Sequence, residues 1–381
     1  MRGPHGPAIC RAMIRVGYTQ RHYAAARNFV EAQTPGVELV RAGNVFRYPD
    51  YALFKAFGHV DPLLGNLHWG GGGVDLLHFF NTMSLGRTPW VTTFETILPR
   101  WTETRGWAVR PGLRLLAGKP CRRLIALSQC AADFQRGFLA DTPDMAEAIR
   151  AKVTVLHPPQ RLLADAPAAA EATIRLAIVG ADFFRKGGRE VLRAVDRLLA
   201  EGAPLHLTIV STMAIGDYAT HATAEDLAEA RRVIAKWPGA IERIARLSND
   251  AVLDLFRRSH VALLPTWAET YGYSVLEAQA AGCPVLTTDI RALTEINDDA
   301  AGWVIAVPKL ANGNGVIGTA AERAVFAELL EAGIEAKLRA ILTDPGVIAA
   351  KGAASLARIR AQHDPAAHGE RLAEIYREAL T

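Results

Sequence analysis

"IRLAIVGADFFRKGGREVL", residues 174–192, opens on an apolar run, Ile174–Val179, that stops at Gly180. Such a run, bounded by a glycine turn, reads as a strand buried on both faces of a parallel sheet. The stretch "REVLRAVDRLLAEG" (189–202) follows, with Val191, Leu192, Val195, Leu198 and Leu199 on one helical face and Gly202 to close it. Strand, turn and helix recur around "LHLTIV" (205–210), "HVALLP" (260–265), "CPVLTT" (283–288) and "GWVIAV" (302–307). Alternating strands and helices imply βαβ units and a doubly wound α/β domain, whose ligands sit beyond the carboxyl ends of the strands.

Upstream, "HPPQRLLADAPAAAEAT" (157–173) is rich in proline and alanine and reads as a linker. It divides 381 residues into halves of ordinary domain size. The first half repeats the α/β pattern more weakly, with candidate strands at 12–18, 37–42, 74–80, 89–94, 123–128 and 152–157. Domains are therefore expected at 1–165 and 166–365, followed by a final helix at 366–381. Half the residues are hydrophobic and 22% are charged, which excludes wholesale disorder. No apolar run approaches the roughly 20 residues of a membrane span. The first residues show no small-residue cleavage site, so no signal peptide is expected. Cys10, Cys121, Cys130 and Cys283 are scattered, which points to reduced cytosolic thiols and against structural zinc. Residues 1–165 hold 20 Lys/Arg against 12 Asp/Glu, whereas the remainder is acidic, so the first half is expected to face something anionic.

Two stretches carry chemistry. Arg185 and Lys186 precede Gly187, Gly188 and a helix start, where unpaired amides and cations together suit a phosphate. For such a pair alone, two solvated charges are the commoner reading. In "AETYGYSVLEAQAAGCPVL" (268–286), a strand ends at Pro265, Glu269 lies in the loop, and a helix starts near Gly272. The amides of Gly272, Tyr273 and Ser274 would then face the same sheet edge as Lys186. Glu277, a turn further in, could accept ribose hydroxyls, and Glu269 the hydroxyls of whatever a diphosphate carries. An acidic helix entry is the bland alternative.

"LLPTWAETYGYSVLEAQAAGCPVLTTD" (263–289) resembles the Pro-Ser/Thr, "EGFG" and "LEAMACG.PVV.T" pattern of retaining glycosyltransferase family 4, of GT-B fold. "GADFFRKGG" (180–188) is similar to its "GR…KG" phosphate turn. The resemblance spans roughly residues 174–310. It implies two Rossmann-like doubly wound domains facing a cleft, the second binding the donor and the first the acceptor, with the last helix crossing back. It also implies a nucleotide-diphosphate sugar co-substrate, no further cofactor, no metal, and transfer with retention to a glycan or lipid-linked hydroxyl. Glu269 is expected on the transferred sugar and Glu277 on the ribose. Lys186, Arg185 and the amides of Gly272, Tyr273 and Ser274 are expected on the pyrophosphate, with Lys186 and Glu269 as the catalytic pair.

Departures accompany the matches. Ala181 stands where the family has arginine, Glu95 where it often has histidine, and the first glycine-rich loop is missing. Glu95 reads equally as a sugar or acceptor contact and as a strand-end charge. His78 and His157 read as packed or capping residues, and Gly70–Gly73 as a loop. The segment 100–123 carries seven Lys/Arg against Glu103, interleaved with Trp101 and Trp107. It suits an anionic membrane surface as well as it suits an arginine-rich helix packed by its aromatics. A cytoplasmic protein, peripheral at the inner membrane face, follows; no nucleic-acid module is present. A nucleotide-sugar epimerase or phosphorylase on the same plan, and a degenerate sugar-nucleotide or partner binder without turnover, are the alternatives.

Overall fold

The computed structural model describes residues 13–169 and 171–381; Cys10 and the start of the 12–18 strand expectation lie outside them. The chain forms two compact units, Met1–Pro159 with Pro365–Thr381, and Gln160–Asp364.

In the first unit the strands are β1 (Ile14–Tyr18), β2 (Val37–Arg41), β3 (Leu67–His68), β4 (Leu76–Phe80), β5 (Met83–Ser84), β6 (Trp90–Phe94), β7 (Cys121–Ala126) and β8 (Val153–Val155). Six of them form one sheet in the order β2-β1-β4-β6-β7-β8, every pair parallel. β3 and β5 pair separately and are too short to show a sequence period. β4 and β6 are buried along their whole length, as central parallel strands must be. Phe79, Trp90, Phe94, Leu113, Leu116 and Leu124 pack the core on one face of this sheet. The helix Pro365–Leu380 belongs to this unit. Its Tyr376 hydroxyl is bonded to His78 Nδ1 at 2.6 Å, and Arg123 reaches Glu378 at 3.3 Å.

In the second unit the strands are β9 (Ile174–Val179), β10 (Leu205–Val210), β11 (Ile241–Ile244), β12 (Val261–Leu264), β13 (Val285–Thr288) and β14 (Trp303–Ile305). The sheet order is β11-β10-β9-β12-β13-β14, again all parallel. The helix Gly188–Ala200 buries Val191, Leu192, Val195, Leu198 and Leu199, the face that the spacing marks out. The chain runs outward from β9 through β10 to β11, then returns to the other side of β9 as β12. Strand order therefore reverses between β9 and β12, which puts the switch point, where such sheets hold a ligand crevice, at the carboxyl edge between these two strands.

Candidate functional site

The loop leaving β9 and the loop leaving β12 meet at this switch point. Gly187 has φ 79°, and a Cβ there would lie 2.1 Å from the Pro265 carbonyl oxygen, so only glycine lets the loop approach the end of β12. Arg185 fastens the contact. Its carbonyl accepts from Trp267 N at 2.8 Å and Thr266 Oγ1 at 3.0 Å, and its guanidinium donates to the Ala268 carbonyl at 2.7 Å and pairs with Asp182. The structure thus places the Arg185 side chain across the two loops, with its donors on Asp182 and Ala268.

Lys186, one residue on, brings Nζ to 2.7 Å from Glu269 Oε2, and both side chains are only 14% exposed. Two of the residues singled out in the sequence, 83 positions apart, therefore form one ion pair. Burial alone would raise the Glu269 carboxyl. The charge and hydrogen bond of Lys186, the nearby Arg185 and the Thr270 amide outweigh it, holding the group below the usual carboxylate range.

Gly272 then caps the helix Tyr273–Ala280 at φ 98°, with room for a Cβ denied by Leu293 at 2.8 Å. Tyr273 and Ser274 open that helix, which directs its first-turn amides and positive dipole end toward the crevice. Glu277 lies one turn in and is 8% exposed. Trp267 and Ala268, next to Glu269 in the chain, line a cavity of about 510 Å³ together with Tyr218, Arg291, Asn314 and Glu322. The sequence does not announce this cavity, because most of its walls come from irregular loops after β10, β12, β13 and β14. Buried Glu190 bonds Arg189 at 3.0 Å and faces Trp267 Nε1 at 3.4 Å, and burial pushes its carboxyl up.

Within the first unit, Glu95 follows β6 and accepts from Asn81 Nδ2 at 3.3 Å, with Arg100 at 3.9 Å. His78 is buried between Tyr376 and Thr93 Oγ1 (2.8 Å) and stacked on Phe29 at 3.8 Å. Burial, aided by the charge of His368, pushes it well below the usual imidazole range, so it is a packed, neutral histidine. The His157 carbonyl is bonded to His368 Nδ1 at 3.0 Å. In the segment 100–123, Trp101 is buried and Trp107 exposed. Arg105 and Arg110 pair with Asp61 (3.0 Å) and Asp144 (2.7 Å). Cys121 is buried, which raises its thiol to about 12, and Cys283 is likewise buried and raised. Among the described residues no three His, Cys, Asp or Glu side chains cluster as a metal site. No described helix is long and apolar enough to cross a membrane.

Two parallel doubly wound units, one with a basic turn and a glycine-capped helix at its switch point, constitute the GT-B glycosyltransferase fold. Residues 160–313, within the second unit, match the family described as glycosyl transferases group 1. The chain is 29% identical over 265 residues to a D-inositol 3-phosphate glycosyltransferase of Streptomyces avermitilis, covering 62% of this chain and 56% of that protein. It is 28% identical over 201 residues to a glycogen synthase of Mycobacterium tuberculosis, covering 53% and 42%. The chain thus spans about half the length of the curated relatives it matches. Among solved structures, Anabaena HepE in complex with UDP-glucose superposes with a TM-score of 0.59 over 96% of this chain and 99% of the other, a likeness of fold at 10% identity.

Proposed function

We propose that this protein is a glycosyltransferase that takes a nucleotide-diphosphate sugar on its second unit and transfers the sugar, with retention, to a hydroxyl of a glycan or lipid-linked acceptor. The observation that carries the reading is the Lys186–Glu269 pair beside the Tyr273–Ala280 helix start, at the switch point of the sheet. On donor binding, Lys186 turns from Glu269 to the pyrophosphate, joined by the amides of Gly272, Tyr273 and Ser274. Glu269, released, accepts hydroxyls of the transferred sugar, and Glu277 accepts those of the ribose. Arg185 acts from behind, holding the two loops in register.

In the transfer, the bond from the anomeric carbon to the β-phosphate oxygen breaks and its electron pair leaves with the diphosphate. The acceptor oxygen bonds to that carbon on the same face, and its proton passes to the departing phosphate oxygen. Fixed positive charge where negative charge develops is the largest contribution a protein makes to such a step. Lys186 and the helix start supply it, so we read the reaction as metal-independent and without further cofactor. Glu95, at the end of β6, is our proposed polar contact for acceptor or sugar. We assign the protein to the cytoplasm, at the inner membrane face.

The test is a thermal-shift panel of UDP, GDP, ADP and CMP, UDP first because HepE is seen with UDP-glucose, followed by glycosyl transfer assayed with and without EDTA. A ligand at 100 times its Kd adds about 2.7 kcal/mol of stability. One diphosphate raising the midpoint alone, with EDTA-resistant turnover giving a product of unchanged anomeric configuration, is the expected outcome. No shift with any of the four removes the donor assignment. A shift without turnover leaves a sugar-nucleotide binder.

A further inference from the structure

The helix Arg47–Phe57, "RYPDYALFKAF", buries none of its residues. A helix on a soluble protein ordinarily turns an apolar stripe inward. Here the large side chains point outward instead: Tyr48 is 79% exposed, Tyr51 60%, Phe54 46% and Phe57 67%. The half-buried residues are Asp50 and Leu53, on the side of the helix away from Tyr48 and Tyr51; Phe57, although exposed, lies on the same side as this pair. The helix is held in this orientation by polar contacts. Asp50 Oδ1 accepts from Asp61 N at 3.2 Å, and Asp61 Oδ2 accepts from Arg105 at 3.0 Å, two residues before the exposed Trp107. At the helix start, Val45 N donates to the carbonyl of Trp69, which is also exposed.

Cations are interleaved with these rings. Lys55 Nζ lies 5.7 Å from the centre of the Tyr51 ring, and Arg41 and Arg47 are exposed nearby in the chain. Among the described residues, none of these three cations is ion-paired with a carboxylate. The same half of the chain carries the basic excess. Rings with an apolar body and a polar tip, set among unneutralised cations, match the chemistry of an anionic lipid–water interface. The length of the helix and its charges fit lying on such a surface; spanning would need about 20 apolar residues.

We propose that the helix Arg47–Phe57, flanked by Trp69 and Trp107, is a docking face for an anionic bilayer surface. Tyr48, Tyr51 and Phe54 enter the headgroup layer while Arg47 and Lys55, on the same side of the helix, meet lipid phosphates. The assignment goes beyond the donor site and stands whether or not that site turns over. It also moves the membrane contact away from the segment 100–123, where Arg105 and Arg110 are engaged with acids of the protein itself.

The full chain would be sedimented with phosphatidylcholine vesicles, with and without phosphatidylglycerol, at low and high salt. It should pellet with the anionic vesicles alone and be released by salt. The double variant Tyr51→Ser/Phe54→Ser and the variant Lys55→Glu, with circular dichroism unchanged, should each bind at least about tenfold more weakly. Failure of the parent to pellet with anionic vesicles overturns the proposal, as does equal pelleting by the double variant. A dimer in solution that the double variant dissolves, without lipid binding, would assign the face to a second copy and overturn it as well.

Discussion

Lys186 and Glu269 are each other's counter-ion, with little water around either. The proposed roles of the nearby acids separate in experiment. Glu277→Ala removes a charged acceptor for ribose hydroxyls and should weaken nucleotide binding about ten- to hundredfold in calorimetry. Glu269→Gln should leave nucleoside-diphosphate affinity intact or improved, because Lys186 is then free, while turnover falls. Equal nucleotide affinity of Glu277→Ala and the parent would sink the ribose assignment. The pair also sets an acid limb of stability. The folded Glu269 carboxyl titrates below its ordinary 4.5, so its contribution is full above that value and is lost as pH falls through the folded one. Melting temperatures between about pH 6 and pH 3 should show this slope in the parent and a shallower one in Glu269→Gln. That Lys186, Glu269 and Gly272 stand in the turns after two strands was legible in the sequence, because those strands are apolar runs with clear ends. The direction of the Arg185 guanidinium was not, since loop residues show no period that fixes where a side chain points.

At the scale of elements, the site depends on two loops held closer than any side chain at position 187 allows. Gly187→Ala adds a left-handed strain and a collision with backbone, together about 3 kcal/mol or more. A midpoint of chemical denaturation unchanged from the parent would contradict this account of the turn. In the first unit, Tyr376→Phe leaves the buried His78 Nδ1 without its 2.6 Å partner, and the expected loss is about 1–3 kcal/mol. Central strands were readable as apolar runs because both of their faces are buried. β11, "IERI", was not: it is an edge strand with Glu242 and Arg243 exposed, so hydrophobicity does not mark it. The helix Arg47–Phe57 escaped for a related reason. Its apolar residues, Tyr48, Tyr51, Leu53, Phe54 and Phe57 among them, are spread round the helix instead of forming one stripe, so no helical period marks it.

For the whole molecule, the two sheets were readable in kind, and the stronger reading of the second half reflects its longer apolar strands. Unit composition, by contrast, depends on contacts hundreds of residues apart. Residues 160–364 form one uninterrupted unit, so that fragment should unfold cooperatively when expressed alone. The fragment ending at Pro159 lacks the helix Pro365–Leu380 and should be markedly less protected in hydrogen exchange, recovering when a 365–381 peptide is added. Protection of the fragment equal to that in the full chain would refute this dependence. The placement of that helix also governs the order of events at the ribosome. The sheet around His78 emerges first, yet its Tyr376 partner is made almost last. The first half must therefore wait, incompletely covered, while the second half is synthesised and folds. A nascent chain of this protein should thus need chaperone shelter longest over its earliest-made residues, the reverse of the usual N-to-C order in which early domains finish first.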